Sequence, residues 1–221
     1  MAKKQAKAKK NWIWLAVALA VLVACGAGIG VAVATRSGSD GQQSSAPGAT
    51  GDTAATDWVE IAIEGYGAIT AELYGNIAPV TVANFMKLVD EGFYDGLTFH
   101  RIISGFMIQG GDPNGNGTGG SSEKIKGEFS ANGVENSIGH VRGVLSMARS
   151  SAYDSASSQF FIMHADAAYL DGQYAAFGRV LEGLEVVDAI CENTRVQDSN
   201  GTVARADQPV IEHIRRIDQP K

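Results

Sequence analysis

YDGLTFHRIISGFMIQGGDPNGNGTGG, Tyr94–Gly120, is the stretch on which the reading of the whole chain turns. Its second half invites two familiar assignments. Together with Glu123, residues Asp112, Asn114, Asn116 and Gly117 fall on the D-x-[DN]-x-[DN]-G-x₅-E pattern of a calcium loop. Gly115, Gly117 and Gly120 also spell G-x-G-x-x-G. The neighbours argue against both. A calcium loop lies between helices, whereas GFMIQ before it is strand-like, Pro113 stands at the second loop position and Gly119 at the usually apolar eighth. A dinucleotide loop opens a helix, whereas SSEKIKGEFSANG shows no helical stripe and is broken by Gly127 and Gly133. What is left is a glycine-rich loop that lets main chain run close to whatever lies beside it.

On the N-terminal side, Val59, Ile61 and Ile63 alternate with Glu60, Ala62 and Glu64, which predicts a half-buried strand. GAITAELY follows the Gly65-Tyr66-Gly67 turn and completes a hairpin. In TVANFMKLVDEG the period changes: Val82, Phe85, Met86 and Val89 make one helical face, and Gly92 ends it. On the C-terminal side, GVLSMA, QFFIM, AAFGRV and PVIEHIRRI are further short strands, in addition to LTFHRI and FMIQ. LEGLEVVDAICEN predicts a second helix burying Leu184, Val187, Ile190 and Cys191. Many short strands and two helices describe a β-rich barrel or sandwich.

The first third is of another kind. Five lysines fall in residues 1–11 without an acid, so the remainder carries 13 of the 18 basic side chains against 24 acidic ones, a formal charge of −11. That balance disfavours nucleic acid as a partner. Residues 12–34, WIWLAVALAVLVACGAGIGVAVA, are 23 residues without a charge. As a helix they would span roughly 35 Å, enough to cross a bilayer, with the preceding lysines on the cytoplasmic side. Leu22-Val23-Ala24-Cys25 offers an alternative, a lipobox whose cleavage would leave a lipid anchor on Cys25. The apolar run continuing through Ala34 favours the span. Residues 35–56, rich in Gly, Ser, Ala and Thr, read as a flexible tether, and a folded domain is expected over 57–221. Cys191 has no partner cysteine outside the apolar segment and is expected to be a small buried hydrophobe.

Taken together, YDGLTFHRIISGFMIQGGDPNGNGTGG, GVLSMARS and SSQFFIMHADAAYLDGQYAAFGRV resemble the cyclophilin-type peptidyl-prolyl cis-trans isomerases, bacterial-like members included, over essentially all of 57–221. The resemblance implies a mainly β fold, an eight-stranded antiparallel closed barrel capped by two α-helices, with a substrate groove outside. It implies Arg101 as the catalytic residue. It makes Phe106, Met107, Phe161 and Leu170 a proline pocket, with Gln109, Gln159, Ala148, Arg149, Tyr169 and Tyr174 as further substrate-binding positions. Arg149, Tyr169 and Tyr174 depart from the asparagine, tryptophan and histidine of well-known members. Loss of an indole N–H at Tyr169 is expected to weaken binding of the immunosuppressant cyclosporin.

The implied chemistry needs no cofactor. An X-Pro bond rotates over a barrier of ~18–20 kcal/mol, and a catalyst must only favour the twisted amide with an apolar slot and a donor aimed at the prolyl nitrogen. Arginine remains a charged, rigid donor at physiological pH. His100, His140, His164 and His213 have no metal-ligand spacing, and SSAYDSASS lacks the G-x-S-x-G elbow of a hydrolase. The expectation is a monomeric, membrane-anchored isomerase acting outside the cytoplasm on proline-containing segments of exported proteins. A module that binds such segments without turnover is the competing expectation.

Overall fold

The computed structural model describes residues 54–221. The apolar segment 12–34, the lipobox at Cys25 and most of the tether lie outside the described residues. Among the described residues no helix is long and apolar enough to cross a membrane.

The strands are β1 (Asp57–Ile63), β2 (Gly67–Leu73), β3 (Phe99–Ile103), β4 (Met107–Gly110), β5 (Val144–Met147), β6 (Phe160–Met163), β7 (Ala176–Glu182) and β8 (Ile211–Ile217). They form one antiparallel sheet in the order β3-β4-β6-β5-β7-β2-β1-β8. The expected closed barrel is therefore corrected to an open one. Between the edge strands β3 and β8 stands only an isolated bridge, Thr98 opposite Val210. It is held by Phe99 N–H on the Pro209 carbonyl (2.9 Å) and Ile211 N–H on the Leu97 carbonyl (2.7 Å). Pro209 has no N–H to return to Phe99, so the ladder cannot lengthen there.

Helix α1 (Pro79–Asp90) packs Val82, Phe85, Met86 and Val89 inward, as their spacing predicts, with Leu88 and Asn84 also buried. Its N-terminus has no side-chain cap on Ala78. Glu128, distant in sequence and 3% exposed, does that work by accepting Val80 N–H at 3.0 Å and Thr81 N–H at 2.7 Å. Phe85 contacts Tyr94, Phe160 and Phe177, joining the helix to the inside of the sheet.

Helix α2 (Leu184–Asn193) starts later than the sequence suggests, because Leu181 and Glu182 still belong to β7. Gly183 makes the break at φ +90°, where a side chain would meet the Ala68 carbonyl. Val186, Val187 and Ile190 are buried, whereas Leu184 and Cys191 are only partly so. Burial and the nearby Asp188 push the Cys191 thiol up to about 11, so it stays protonated and inert.

β5 and β6 are buried on both faces, and β4 nearly so. Along β6, Phe160 and Ile162 enter the central core while Phe161 and Met163 join a second apolar cluster outside it. β4 repeats this, with Ile108 inside and Met107 outside. A two-residue period thus supplies the central core and a second apolar cluster from the same four-residue runs.

Candidate functional site

Strand register lines up the outer face. Arg101 on β3 pairs with Gln109 on β4, Gln109 with Phe161 on β6, and Phe161 with Ser146 on β5, making one transverse row. Met107 lies in the adjacent row, opposite Met163.

Arg101 is held from several directions. Its Nε–H donates to the Asn200 carbonyl at 2.9 Å, Nη2 reaches Asn200 Oδ1 at 3.4 Å, and Nη1 donates to Gln109 Oε1 at 3.3 Å. Nη1 also lies 3.9 Å from the Met107 sulfur. Burial pulls its pKa below the ordinary value, opposed by Tyr174, Asp198 and Tyr169, and a guanidinium keeps its charge under such a shift. Beyond Gln109 the line continues, with Gln109 Nε2 donating to Gln159 Oε1 at 2.9 Å and Gln159 Nε2 to the Gly119 carbonyl at 2.7 Å.

The 198–203 loop that receives Arg101 was not among the residues singled out from the sequence. Asp198 ties it together, accepting from Asn200 N–H, Thr202 N–H and the Thr202 hydroxyl at 3.0, 3.1 and 2.9 Å. Hydrogen bonds from the Thr202 main chain and hydroxyl hold its carboxyl below the usual range. Gly201 brings the loop against β3: Ile102 N–H donates to its carbonyl at 2.8 Å, and at φ +79° an added side chain would strike Ile102. The D-S-N-G run, a turn signal, was the available clue.

Beside Arg101 lies the second apolar cluster. Met107, Phe161 and Leu170 are buried in it, and Phe106, Ala148 and Tyr174 pack against them. Tyr174 meets Phe161 edge-on at 6.0 Å. Tyr169 is 71% exposed and stacks on Phe106 at 6.0 Å. Ala148 N–H donates to the Gln159 carbonyl at 3.0 Å, tying the chain after β5 to the residue before β6. The Arg149 side chain is turned to other partners, 4.6 Å from the Tyr174 ring centre and 5.1 Å from those of Phe129 and Tyr153, with three N–H groups on the carbonyls of Gln173 and Ser150. The structure thus groups ten of the eleven expected residues, and the eleventh, Arg149, follows Ala148 with its side chain over the Tyr174 ring.

The glycine-rich loop is a wall of this face. Asp112, 1% exposed, accepts N–H groups of Asn114, Asn116 and Gly117 at 2.8, 3.1 and 2.6 Å. Burial would raise its pKa, but backbone N–H donors outweigh it and hold the carboxyl low. Glu123 instead pairs with Lys87 at 3.1 Å. The two acids of the calcium pattern therefore do not converge.

Comparison with known proteins adds an independent line. A family model described as cyclophilin type peptidyl-prolyl cis-trans isomerase/CLD matches residues 58–216. Peptidyl-prolyl cis-trans isomerase B of Bacillus subtilis is 50% identical over 123 residues, covering 56% of this chain and 82% of that protein. A peptidyl-prolyl cis-trans isomerase of Synechococcus elongatus is 46% identical over 132 residues, covering 59% and 86%. The crystal structure of a Cryptosporidium parvum cyclophilin-type isomerase, determined in the presence of the dipeptide Ala-Pro, matches with a TM-score of 0.64 and 32% identity over 73% of this chain and 99% of that one.

Proposed function

Because this chain belongs to the cyclophilin-type peptidyl-prolyl cis-trans isomerases and shares their activity, we propose that Arg101 is the group that makes it a catalyst. In the planar amide the prolyl nitrogen shares its lone pair with the carbonyl; twisting the bond localises that pair and makes the nitrogen an acceptor. An N–H donor already aimed at that position stabilises the twisted form more than either planar one. The prolyl ring would rest on Phe161, Met107 and Leu170, with Phe106 and Tyr169 at the rim. Gln109, Gln159 and the main chain of Ala148 and Arg149 would hold the flanking peptide.

The observation that carries this reading is the immobilised guanidinium beside the apolar slot, fixed by Asn200 and Gln109 before any substrate arrives. Preorganisation of that kind removes the cost of aiming the donor during reaction. Arg101→Ala is expected to lower kcat by about 100- to 1000-fold with the fold intact. Relaxation of a proline peptide in the presence of wild type or variant measures it, and an unchanged rate would refute the assignment. If the variant rescued client refolding as well as wild type, holding rather than turnover would be the activity that matters.

The basic residues 1–11 and the uncharged 12–34 support a further reading, that a bacterial-like, monomeric enzyme is anchored with its domain on the outer side of the membrane and acts on exported polypeptides. Intact-mass measurement of membrane-extracted protein tests the anchor: a full chain fits a span, and a lipidated species starting at Cys25 fits the alternative. Tyr169 offers no indole donor, and weak cyclosporin binding is expected.

A further inference from the structure

A line of hydrogen bonds, buried at His140 and Ser146 and open to solvent at Asp171, lies behind the proposed slot, and the isomerase reading makes no use of it. The His140 side chain is 1% exposed, with Nδ1 2.9 Å from Asp171 Oδ1 and Nε2 3.0 Å from Ser146 Oγ. The same Asp171 oxygen accepts the His140 backbone N–H at 2.7 Å. A carboxylate can only accept, so Nδ1 carries the proton and Nε2 is left to receive the Ser146 hydroxyl. Burial, opposed by Asp171, keeps the imidazole neutral, as this pattern requires. The order of groups matches a hydrolytic triad, but Ser146 is fully buried and no substrate carbonyl can reach it.

The surroundings of the line are more informative. The His140 ring stacks on Phe161, centroids 6.1 Å apart and planes within 19°. Ser146 is the register partner of Phe161. Asp171 directly follows Leu170, and the His140 carbonyl accepts Ala167 N–H at 2.8 Å at the start of the turn that carries Tyr169 and Leu170. One side chain is therefore fastened to both walls of the slot.

The geometry points to Asp171, His140 and Ser146 as positioning residues that set the spacing between Phe161 and Leu170, and hence how tightly the slot takes a prolyl ring. This rests on the assignment of Phe161 and Leu170 to that slot. Asp171 is the member to change, because its side chain is 44% exposed and its loss empties no core. Asparagine there keeps an oxygen able to accept both N–H groups.

The test uses the full-length chain and separates kcat from KM for a proline peptide, together with Tm and the ¹⁵N spectrum of the His140 ring. Asp171→Ala is expected to raise KM about tenfold. It should leave kcat within roughly twofold, since Arg101 is untouched, and His140 should lose its Nδ1–H tautomer. Asp171→Asn should restore both KM and tautomer. A fall in Tm with KM unchanged in Asp171→Ala would overturn the inference while leaving the slot assignment standing, as would an Asp171→Asn variant that keeps the tautomer yet shows the raised KM. Phe161→Ala with unaltered KM would remove the slot assignment itself, and the inference with it.

Discussion

Arg101 is aimed by a loop rather than by its own strand. Its strongest contact goes to the main-chain carbonyl of Asn200, 99 residues away, and the Asn200 side chain adds only a long 3.4 Å contact. Asn200→Ala should therefore change kcat/KM by no more than roughly threefold, whereas a displaced loop should matter more. Gly201→Val is the displacement: it forces a β-branched residue to positive φ and into Ile102, for about 1–3 kcal/mol of strain and a fall in kcat/KM of about tenfold or more. Steady-state kinetics of the two variants side by side check this, and equal effects would place the aiming elsewhere. At this scale Arg101, Gln109 and Phe161 were legible through the family resemblance carried by FHRII, GFMIQGGD and SQFFI, and the strand register sets the three side by side. The sequence was silent on Asn200, whose role arises only when a connection folds back on β3.

Elements here start and stop where distant groups permit. α1 begins with Pro79, which presets its own φ, but the next N–H groups need an acceptor and find it in buried Glu128. Replacing Glu128 with Ala would leave Val80 and Thr81 N–H unpaired inside the protein, and a loss of about 2 kcal/mol is expected, with Gln recovering part of it. Urea unfolding of the two variants measures it; an unaltered midpoint for Ala would mean that the helix start is not held by this carboxylate. The hydrophobic spacing of α1 was sufficient to predict its buried face, since one side is wet. β5 and β6 carry a weaker signal: buried on both faces, they show no wet side from which periodicity could divide the central core from the second cluster. The start of α2 differs from the sequence expectation for a related reason: Leu181 is apolar but lies near the end of β7, and Gly183 marks the boundary.

For the whole molecule, pH acts through imidazoles that folding has stripped of water. His100 has no hydrogen-bond partner for either ring nitrogen, and burial lowers its pKa, outweighing the opposing charge of Asp112; burial does the same to His140 against Asp171. The unfolded chain takes up these protons near pH ~6.5 while the folded one resists, so stability is complete above that value and declines below it, by up to about 1.4 kcal/mol per pH unit for each histidine. Urea midpoints taken from about pH 7.5 to about pH 5 should fall accordingly, and His100→Phe should flatten part of the slope. A wild-type curve without slope would contradict the burial argument. The closure of the sheet shows the reach of sequence reading at this scale. Eight strands could be counted, but the gap between the edge strands β3 and β8 lies where Pro209, which has no N–H to give, stands opposite Phe99. The alternation along β6 carries a different implication. Phe160 and Ile162 belong to the central core, Phe161 and Met163 to the second cluster where the proposed proline slot lies, and the four are consecutive in the chain. A mutational library confined to every second position of β4 and β6 could therefore explore new peptide preferences while the scaffold is inherited unchanged, which gives this site a capacity to evolve that its dense packing would otherwise deny.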